Sequence, residues 1–205
     1  MTATSQRPSC VLFDLGGVVC QFDPVRRATS LADAAGITAR EISALVFWSG
    51  FDEECDRGVH SEAAILERFR SIGFRGDLDT LRRLWASAFS PDLAVIRLAA
   101  ALRADGVTVA TFTDNGPLLL AVIDSLLPRH AFDDHVFSCR IGATKSDPEA
   151  FSSALALLNK SPGDVFFVDD NEGNVKNAHA LSIRAERATT AAEVESALRG
   201  VGLLR

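Results

Sequence analysis

The sequence has few cysteines, and none of them is paired at short spacing. The four cysteines form no Cys-x-x-Cys pair, and none lies at metal-ligand spacing from a histidine: Cys10, Cys20, Cys55 and Cys139. A zinc site or a disulfide framework is therefore not expected. Buried free thiols are the simplest interpretation, because unpaired cysteine is among the residues most often found in protein interiors.

Excess positive charge, long apolar runs and an export signal are also absent. Lys and Arg number 21 against 27 Asp and Glu, which gives a formal net charge of −6. A nucleic-acid-binding protein normally carries a basic face, so this function is not expected. No apolar run reaches the length of about eighteen residues that indicates a membrane-spanning helix. The N-terminus, MTATSQRPSC, lacks the basic start and apolar stretch of a signal peptide, and we therefore expect a cytoplasmic protein.

The sequence does contain enough apolar residues for a substantial core. Its 205 residues, 47% of them hydrophobic, suit one domain with at most a modest insertion. The segment CVLFD at residues 10–14 indicates a short buried strand, ended by Gly16-Gly17. From about residue 23 to residue 89 the pattern changes to helices without a convincing strand, and Thr38 and Ser61 are predicted to cap two of them.

Strands and helices alternate after this helical segment. Helices are indicated at residues 115–127 and after a capping box formed by Thr190 and Glu193. Four strands are indicated by the segments VTVATF, HVFSC, GDVFFVDD and IRAER. This alternation predicts an α/β fold with a parallel sheet covered by helices on both faces. The helical segment is then an insertion after the first strand.

Polar residues stand where the predicted strands end. These are Asp14, Thr113 and the pair Asp169-Asp170, and Lys145 lies in the loop after HVFSC. Taken singly, each has an ordinary explanation as a turn residue, a helix cap or a solvated charge. Lysine is scarce, however, since the only others are at positions 160 and 176. The adjacent acids are also unusual, because two carboxylates repel each other unless a cation lies between them.

Together these residues have a chemical meaning that they lack singly. Ligands of open α/β sheets bind outside the carboxyl ends of the strands, so the loops can meet in one crevice. Carboxylates from two strand ends form an oxygen-rich site that suits Mg²⁺. A hydroxyl, backbone N–H groups and a lysine suit a phosphate. A carboxylate beside both could attack phosphorus and form an acyl phosphate.

The ordered motifs resemble those of the haloacid dehalogenase-like superfamily. Asp14, Thr113, Lys145 and the pair Asp169-Asp170 occupy the four motif positions in the family's order. The segments that carry the resemblance are FDLGGVV, VTVATFTDN, GATKSDPEAF and VFFVDDNEGNV. The resemblance covers nearly the whole chain and implies a Rossmann-like core. It also implies a Mg²⁺-dependent hydrolase that acts on a small phosphorylated metabolite, without nucleic acid or membrane.

The resemblance implies a role for each motif residue. Asp14 would be the nucleophile, and Thr113 and the N–H of Asp114 would hold phosphate oxygens. Lys145 would offset the charge of Asp14 and the phosphate, acting both in catalysis and in phosphate binding. The implied Mg²⁺ ligands are Asp14, the backbone carbonyl of Gly16, Asp170, and Asp169 beside or behind it.

The helical insertion resembles the small cap of the superfamily's first subclass. It would extend over residues 20–90, with residues 1–19 and 91–205 forming the core. The segment GFDEECDRGVHSEAAI is similar to caps of the sugar-1-phosphate phosphatase-like branch. Within the cap we expect Phe47, Trp48 and Phe51 to pack between helices, with contact to the substrate as the alternative. Arg57 and His60 are candidates for substrate contact, and a solvated surface position is the simpler alternative.

In the family, the first motif contains a second Asp two residues after the nucleophile, and this Asp protonates the leaving oxygen. Gly16 stands at that position in this sequence. Loss of general acid–base help, typically worth about 10²–10⁴-fold, harms poor leaving groups most. The sequence therefore predicts better activity on sugar 1-phosphates, acyl phosphates or aryl phosphates than on alkyl phosphates. The alternative is that Gly16-Gly17 merely permits a tight turn. Because the related dehalogenases carry a bulky aromatic at this position, carbon–halogen cleavage is not expected.

Two further departures leave a second function open. Asp114 stands where Asn is usual, and it could be a substitute proton donor or a cap of the helix near Asn115. Ser146 replaces the usual Pro and should loosen the loop that carries Lys145. With Gly16, these departures allow an inactive binding or regulatory module that keeps the fold and binds phosphate or Mg²⁺ without turnover.

Overall fold

One large sheet dominates the computed structural model, which describes residues 7–205. The first six residues, on which the expectation about an export signal partly depends, lie outside the described residues. The strands are β1 (Cys10–Phe13), β2 (Cys20–Phe22), β3 (Phe89–Pro91), β4 (Thr108–Thr113), β5 (Asp134–Phe137), β6 (Val165–Asp169) and β7 (Arg184–Arg187). Five of them form an all-parallel sheet in the order β5-β4-β1-β6-β7. The α/β fold expected from the sequence is confirmed.

Helices connect these strands. They are α1 (Pro24–Ala35), α2 (Ala39–Ile42), α3 (Phe51–Asp56), α4 (Glu62–Ser71), α5 (Leu78–Ala86), α6 (Leu93–Ala104), α7 (Pro117–Leu120), α8 (Ile123–Leu126), α9 (Ser138–Ile141), α10 (Pro148–Leu157), α11 (Glu172–Ala180) and α12 (Ala191–Gly200). A π-helical turn (Ser43–Phe47) follows α2, and a 3-10 turn (Pro162–Asp164) precedes β6. None of the helices among residues 7–205 has the length and hydropathy that crossing a membrane requires.

The sheet buries both of its faces. All four residues of β1 are fully buried, and they alternate between two apolar clusters. Cys10 and Leu12 pack in the cluster that contains α10 and α11, and Val11 and Phe13 pack in the cluster that contains α6 and α12. A parallel strand covered on both sides needs a continuous apolar run rather than an alternating one. This explains why CVLF, with no polar residue, forms the centre of the sheet.

A short two-stranded ladder pairs the chain segment that precedes α1 with the segment that follows α5. β2 and β3 pair antiparallel, with Cys20 opposite Pro91 and Phe22 opposite Phe89. Neither strand is predicted from the sequence, because three residues are too few to show a periodic pattern. The ladder brings the two ends of the insertion together beside the loop that follows β1.

The helix caps agree with the sequence in part. Thr38 forms the predicted capping box with Glu41, and the side chain of Ser61 accepts from the backbone N–H of Ala64. Thr190 caps α12, but the Glu193 carboxylate accepts from the N–H and hydroxyl of Thr189 instead of closing the predicted box.

Two other local expectations were wrong. The single helix predicted over residues 115–127 is split into the short helices α7 and α8, which bury Leu118 and Ile123 respectively. Trp48 was expected to pack between helices, yet it is 72% exposed. Its neighbour Phe47 packs against Trp85, with the ring centroids 6.1 Å apart.

Candidate active site

Lys145 joins two strand ends in the interior of the protein. Asp14 directly follows β1, and Asp169 is the last residue of β6. The Lys145 Nζ donates to Asp14 Oδ1 at 2.6 Å and to Asp169 Oδ2 at 2.7 Å. The lysine reaches this point from the loop between α9 and α10. Three of the predicted loops therefore meet at one position beyond the carboxyl end of the sheet.

Burial makes the charges at this position interact strongly. The exposed fractions are 6% for Asp14, 3% for Lys145 and 0% for Asp169. Burial and the neighbouring Asp169 raise the pKa of Asp14 to about 7, against the opposing effect of Lys145. Burial alone would lower the pKa of Lys145, but Asp14 and Asp169 outweigh it and raise that pKa above its ordinary value. Lys145 is therefore a permanent ammonium at neutral pH.

Asp170 completes a group of three carboxylates. Asp14, Asp169 and Asp170 each place one carboxylate oxygen within 4.8 Å of the others. Asp169 is oriented by the backbone N–H of Asn171 at 2.7 Å and the Asn174 amide at 3.1 Å. Burial and Asp169 raise the pKa of Asp170. Three carboxylates facing one ammonium leave excess negative charge, and hard oxygen ligands suit Mg²⁺, so the residues present fit this cation.

The two glycines after Asp14 have different structural roles. Gly17 has a φ of +94°, and a Cβ on it would overlap Asp170 Oδ2. Gly16 has no such backbone requirement, and a Cβ there would lie 3.3 Å from Phe89 Cε1 and 3.5 Å from Phe22 Cβ. The tight-turn explanation therefore holds for Gly17. It does not explain Gly16, whose missing side chain leaves space that these two aromatic residues border.

We expect Gly17→Ala to be far more harmful than Gly16→Ala. A left-handed backbone with a side chain costs about 1–3 kcal/mol, and the new methyl group would also displace Asp170. The expected result is a loss of stability of that size together with weaker Mg²⁺ binding, whereas Gly16→Ala should shift only the Phe89 ring. Urea unfolding and a Mg²⁺ titration of both variants would measure this. Equal effects at the two positions would contradict the assignment.

Of the two residues in the second family motif, Thr113 is buried and Asp114 holds the loop that carries Lys145. Thr113 is buried at the end of β4, and its Oγ1 accepts from the Asn115 side-chain amide at 2.7 Å. Both Asp114 oxygens accept from the backbone N–H of Lys145, at 3.0 and 3.1 Å. Asp114 does not cap the following helix, since Gly116 occupies the N-cap of α7. Its carboxylate instead holds Lys145 in place, and burial raises its pKa.

The loop that carries Lys145 is held by hydrogen bonds, although Ser146 replaces the usual Pro. Its Oγ lies 2.7 Å from the hydroxyl of Thr144, whose N–H donates to Asp147 at 3.1 Å. Arg57, from the end of α3, donates to the same Asp147 carboxylate at 2.6 Å. Arg57 thus ties the insertion to the lysine loop. The other candidate for substrate contact, His60, instead pairs with Glu54 and stacks on the Phe51 ring.

A cleft of about 270 Å³ opens over the charged group. The predicted residues on its wall are Asp14, Gly16, Thr113, Asp114 and Lys145. Six other wall residues were not predicted from the sequence: Phe22, Arg27, Asp52, Asp56, Phe89 and Asn115. Most of these come from the insertion and its ladder, where no strand end marks them. The acidic run FDEECD was the only signal that could have indicated two of them.

Arg27 is the most unusual of the missed residues. It is 6% exposed, and its guanidinium lies among three aromatic rings, 4.5 to 5.2 Å from the centroids of Trp85, Phe22 and Phe89. Its Nε donates to the Trp85 carbonyl at 3.1 Å, but its buried Nη2 has no partner among residues 7–205. Burial lowers its pKa to about 10, although Asp56 and Asp52 oppose this change. An unpartnered charged donor in a cleft is costly unless a ligand or water accepts from it.

Comparison with known proteins identifies relatives for most of the chain. A family profile described as haloacid dehalogenase-like hydrolase matches residues 8–181. Flavin mononucleotide hydrolase 1 of Arabidopsis thaliana is 31% identical over 126 residues, which cover 61% of this chain and 51% of the relative. A phosphatase of Mycobacterium tuberculosis is 30% identical over 189 residues, covering 86% of this chain and 85% of the relative. The chain thus spans about half of the first relative and most of the second.

A solved structure shows the same fold. A haloacid dehalogenase family enzyme from Bacteroides thetaiotaomicron, in complex with magnesium and inorganic phosphate, superposes with a TM-score of 0.77. The two are 20% identical, and the match covers 88% of this chain and 93% of that one. At this identity the likeness supports the fold, and the arrangement of the site depends on the contacts described above.

Proposed function

Because this chain belongs to the haloacid dehalogenase-like hydrolases, we propose that it is a Mg²⁺-dependent phosphatase. The substrate is a small phosphorylated metabolite, and the reaction passes through an aspartyl phosphate on Asp14. The observation that carries the proposal is the buried Asp14–Lys145–Asp169 arrangement with Asp170 beside it. The phosphatase among the relatives, which is matched over most of its length, adds support.

The site residues divide the work of phosphoryl transfer. An Asp14 oxygen attacks phosphorus, and the bond from phosphorus to the leaving oxygen breaks. Water then hydrolyses the acyl phosphate and restores Asp14. The Lys145 ammonium offsets the charge of the transferring group, and Thr113 and the N–H of Asp114 hold its oxygens.

Four groups would hold the metal: Asp14, Asp169, Asp170 and the Gly16 carbonyl. When bound, Mg²⁺ neutralises phosphate charge and favours the ionised form of Asp14. Asp169, already fixed by Asn171, Asn174 and Lys145, would keep the other acids in position.

We propose residues 20–90 as a cap over this site and residues 1–19 and 91–205 as the core. The β2–β3 ladder supports this division because it closes the insertion where it leaves the core. The cleft supports it too, since Asp14 and Lys145 come from one part and Arg27 and Asp56 from the other. The cap would then shape the pocket for the leaving group.

The absence of an acid at Gly16 supports a substrate with an acidic leaving oxygen. Sugar 1-phosphates, acyl phosphates and aryl phosphates meet this requirement better than simple alkyl phosphates. Flavin mononucleotide belongs in any test set, because one relative is named for its hydrolysis.

The test is phosphate release with and without Mg²⁺. We expect Mg²⁺-dependent turnover of p-nitrophenyl phosphate and glucose 1-phosphate, and slower turnover of glycerol 3-phosphate. EDTA should remove the activity, and added Mg²⁺ should restore it. Binding of Mg²⁺ and phosphate without turnover of any substrate would favour a regulatory module instead. Fastest turnover of the alkyl phosphate would overturn the leaving-group preference.

A further inference from the structure

The proposed phosphatase needs a proton donor that its first loop does not supply. Gly16 has no side chain, and Phe22 and Phe89 border the space that one would occupy. A leaving alkoxide nevertheless needs a proton as its bond to phosphorus breaks. Turnover of a substrate with a poor leaving group, such as an alkyl phosphate, therefore needs a donor on another wall of the cleft.

Three further carboxyl groups line this cleft: Asp52, Asp56 and Asp114. Asp114 is occupied, because both of its oxygens accept from the backbone N–H of Lys145. Asp52 lies in the first turn of α3, where its Oδ1 accepts from the N–H of Glu53 at 3.0 Å. Asp56 ends the same helix and has no side-chain ion pair among the described residues. It is the least committed of the three.

The end of α3 is fixed firmly against the core. The backbone N–H of Gly116 lies near the Asp56 carboxyl, where it counteracts part of the rise in the Asp56 pKa. Next to it, Arg57 binds Asp147, and a Cβ on Gly58 would overlap the Cys139 carbonyl oxygen. These contacts hold the end of α3, and with it Asp56, in a defined position at the wall of the cleft. Preorganisation of this kind is what an acid catalyst requires.

Its surroundings keep Asp56 protonated at neutral pH. Burial, Asp52 on the same helix and Asp114 beyond β4 raise the pKa of Asp56 to about 8. Arg27 from α1 and the N–H of Gly116 oppose them. The nearby thiols of Cys55 and Cys139 add no negative charge, because burial raises the pKa of both, to about 12 and about 11.

We propose that Asp56 is the general acid and base that replaces the missing acid at position 16. The inference rests on the proposed phosphatase function. As the Asp14 oxygen bonds to phosphorus, the leaving oxygen keeps the electron pair of its broken bond and takes the Asp56 proton. The products are an alcohol, the acyl phosphate and an Asp56 carboxylate. As the water oxygen then bonds to phosphorus and the bond from phosphorus to Asp14 breaks, that carboxylate takes a proton from the water, which leaves phosphate, the Asp14 carboxylate and protonated Asp56.

The experiment compares Asp56→Asn with the unmodified protein on two substrates under saturating Mg²⁺. For glycerol 3-phosphate, a poor leaving group, we expect kcat/KM to fall by about 10²–10⁴-fold. For p-nitrophenyl phosphate we expect kcat/KM to fall by less than about tenfold, because kcat/KM reports the steps up to formation of the acyl phosphate and this leaving group needs no proton in them. Glu54→Gln, the same kind of change on the exposed side of α3, is the matched control. Equal losses on both substrates would overturn the proposal.

A pH profile gives a second readout that does not depend on that variant folding. In the unmodified protein, kcat/KM for glycerol 3-phosphate should fall above about pH 8 as Asp56 loses its proton. Asp52→Asn should move this decline to lower pH, because it removes a negative charge that raises the Asp56 pKa. A decline that stays in place would overturn the proposal. No Mg²⁺-dependent turnover of any substrate would instead reject the phosphatase function itself.

Discussion

Asp14→Asn is expected to remove Mg²⁺-dependent phosphatase activity almost completely. An amide has nearly the shape of the carboxylate but cannot form the acyl phosphate, so kcat should fall by about 10³-fold or more. Phosphate release from p-nitrophenyl phosphate would measure this. Asp134→Asn, the same change at an exposed strand start, is the matched control and should leave kcat unchanged.

The thermal unfolding temperature of this variant distinguishes a loss of catalysis from a loss of folding. The buried Asp14 carboxyl is costly to ionise, as its pKa of about 7 shows. Its amide replacement should therefore leave the thermal unfolding temperature nearly unchanged or slightly higher. Activity retained in Asp14→Asn would contradict the assignment of Asp14 as nucleophile.

Lys145→Met should produce the largest loss of stability. The substitution leaves Asp14 and Asp169 buried without their cation, and breaking a buried ion pair from one side costs about 3–5 kcal/mol. Urea unfolding in EDTA at pH 8 would measure this. Lys176→Met is the control, because Lys176 is exposed and forms only a surface pair with Glu172, which should change stability by less than about 1 kcal/mol.

The loss in Lys145→Met should depend on pH with a defined sign. Without the lysine, the pKa of Asp14 in the folded state should rise further above its unfolded value. The unfolded state then loses its proton first, so the variant is destabilised as pH rises from the unfolded pKa to the folded one. The loss should be smaller at pH 5 than at pH 8, and Mg²⁺ should reduce it at pH 8. A pH-independent loss would contradict this explanation.

The sequence predicts well what the ends of parallel strands bring together. Asp14, Thr113 and Asp169 follow apolar runs that can only be buried strands, and parallel strands end at one edge of a sheet. Lys145 was assigned from its loop after HVFSC and from the resemblance of GATKSDPEAF to a family motif, and the scarcity of lysine made it more noticeable. These residues met in the structure because their positions follow from topology rather than from side-chain detail.

The insertion could not be predicted in the same way. Arg27 reaches the cleft only because the β2–β3 ladder and α1 turn it inward, and nothing in its local sequence separates it from Arg26. The distinction between Asp56 and its acidic neighbours likewise depends on which side of α3 packs near Gly116. The structural difference between Gly16 and Gly17 is likewise visible only in the backbone, because Gly17 alone of the two has a positive φ. Such features arise from tertiary packing, which local spacing does not encode.

The β2–β3 ladder also joins the insertion directly to the loop that carries the nucleophile. The loop after Asp14 is a tight turn, with Gly17 N–H donating to the Cys20 carbonyl at 2.7 Å and Cys20 N–H to the Leu15 carbonyl at 2.7 Å. Cys20 is also the first residue of β2, so no linker residues separate this turn from the ladder. The insertion is therefore joined to the nucleophile through a short hydrogen-bonded turn rather than a flexible linker. A substitution that disturbs the pairing of Cys20 with Pro91 would for this reason also disturb the position of Asp14.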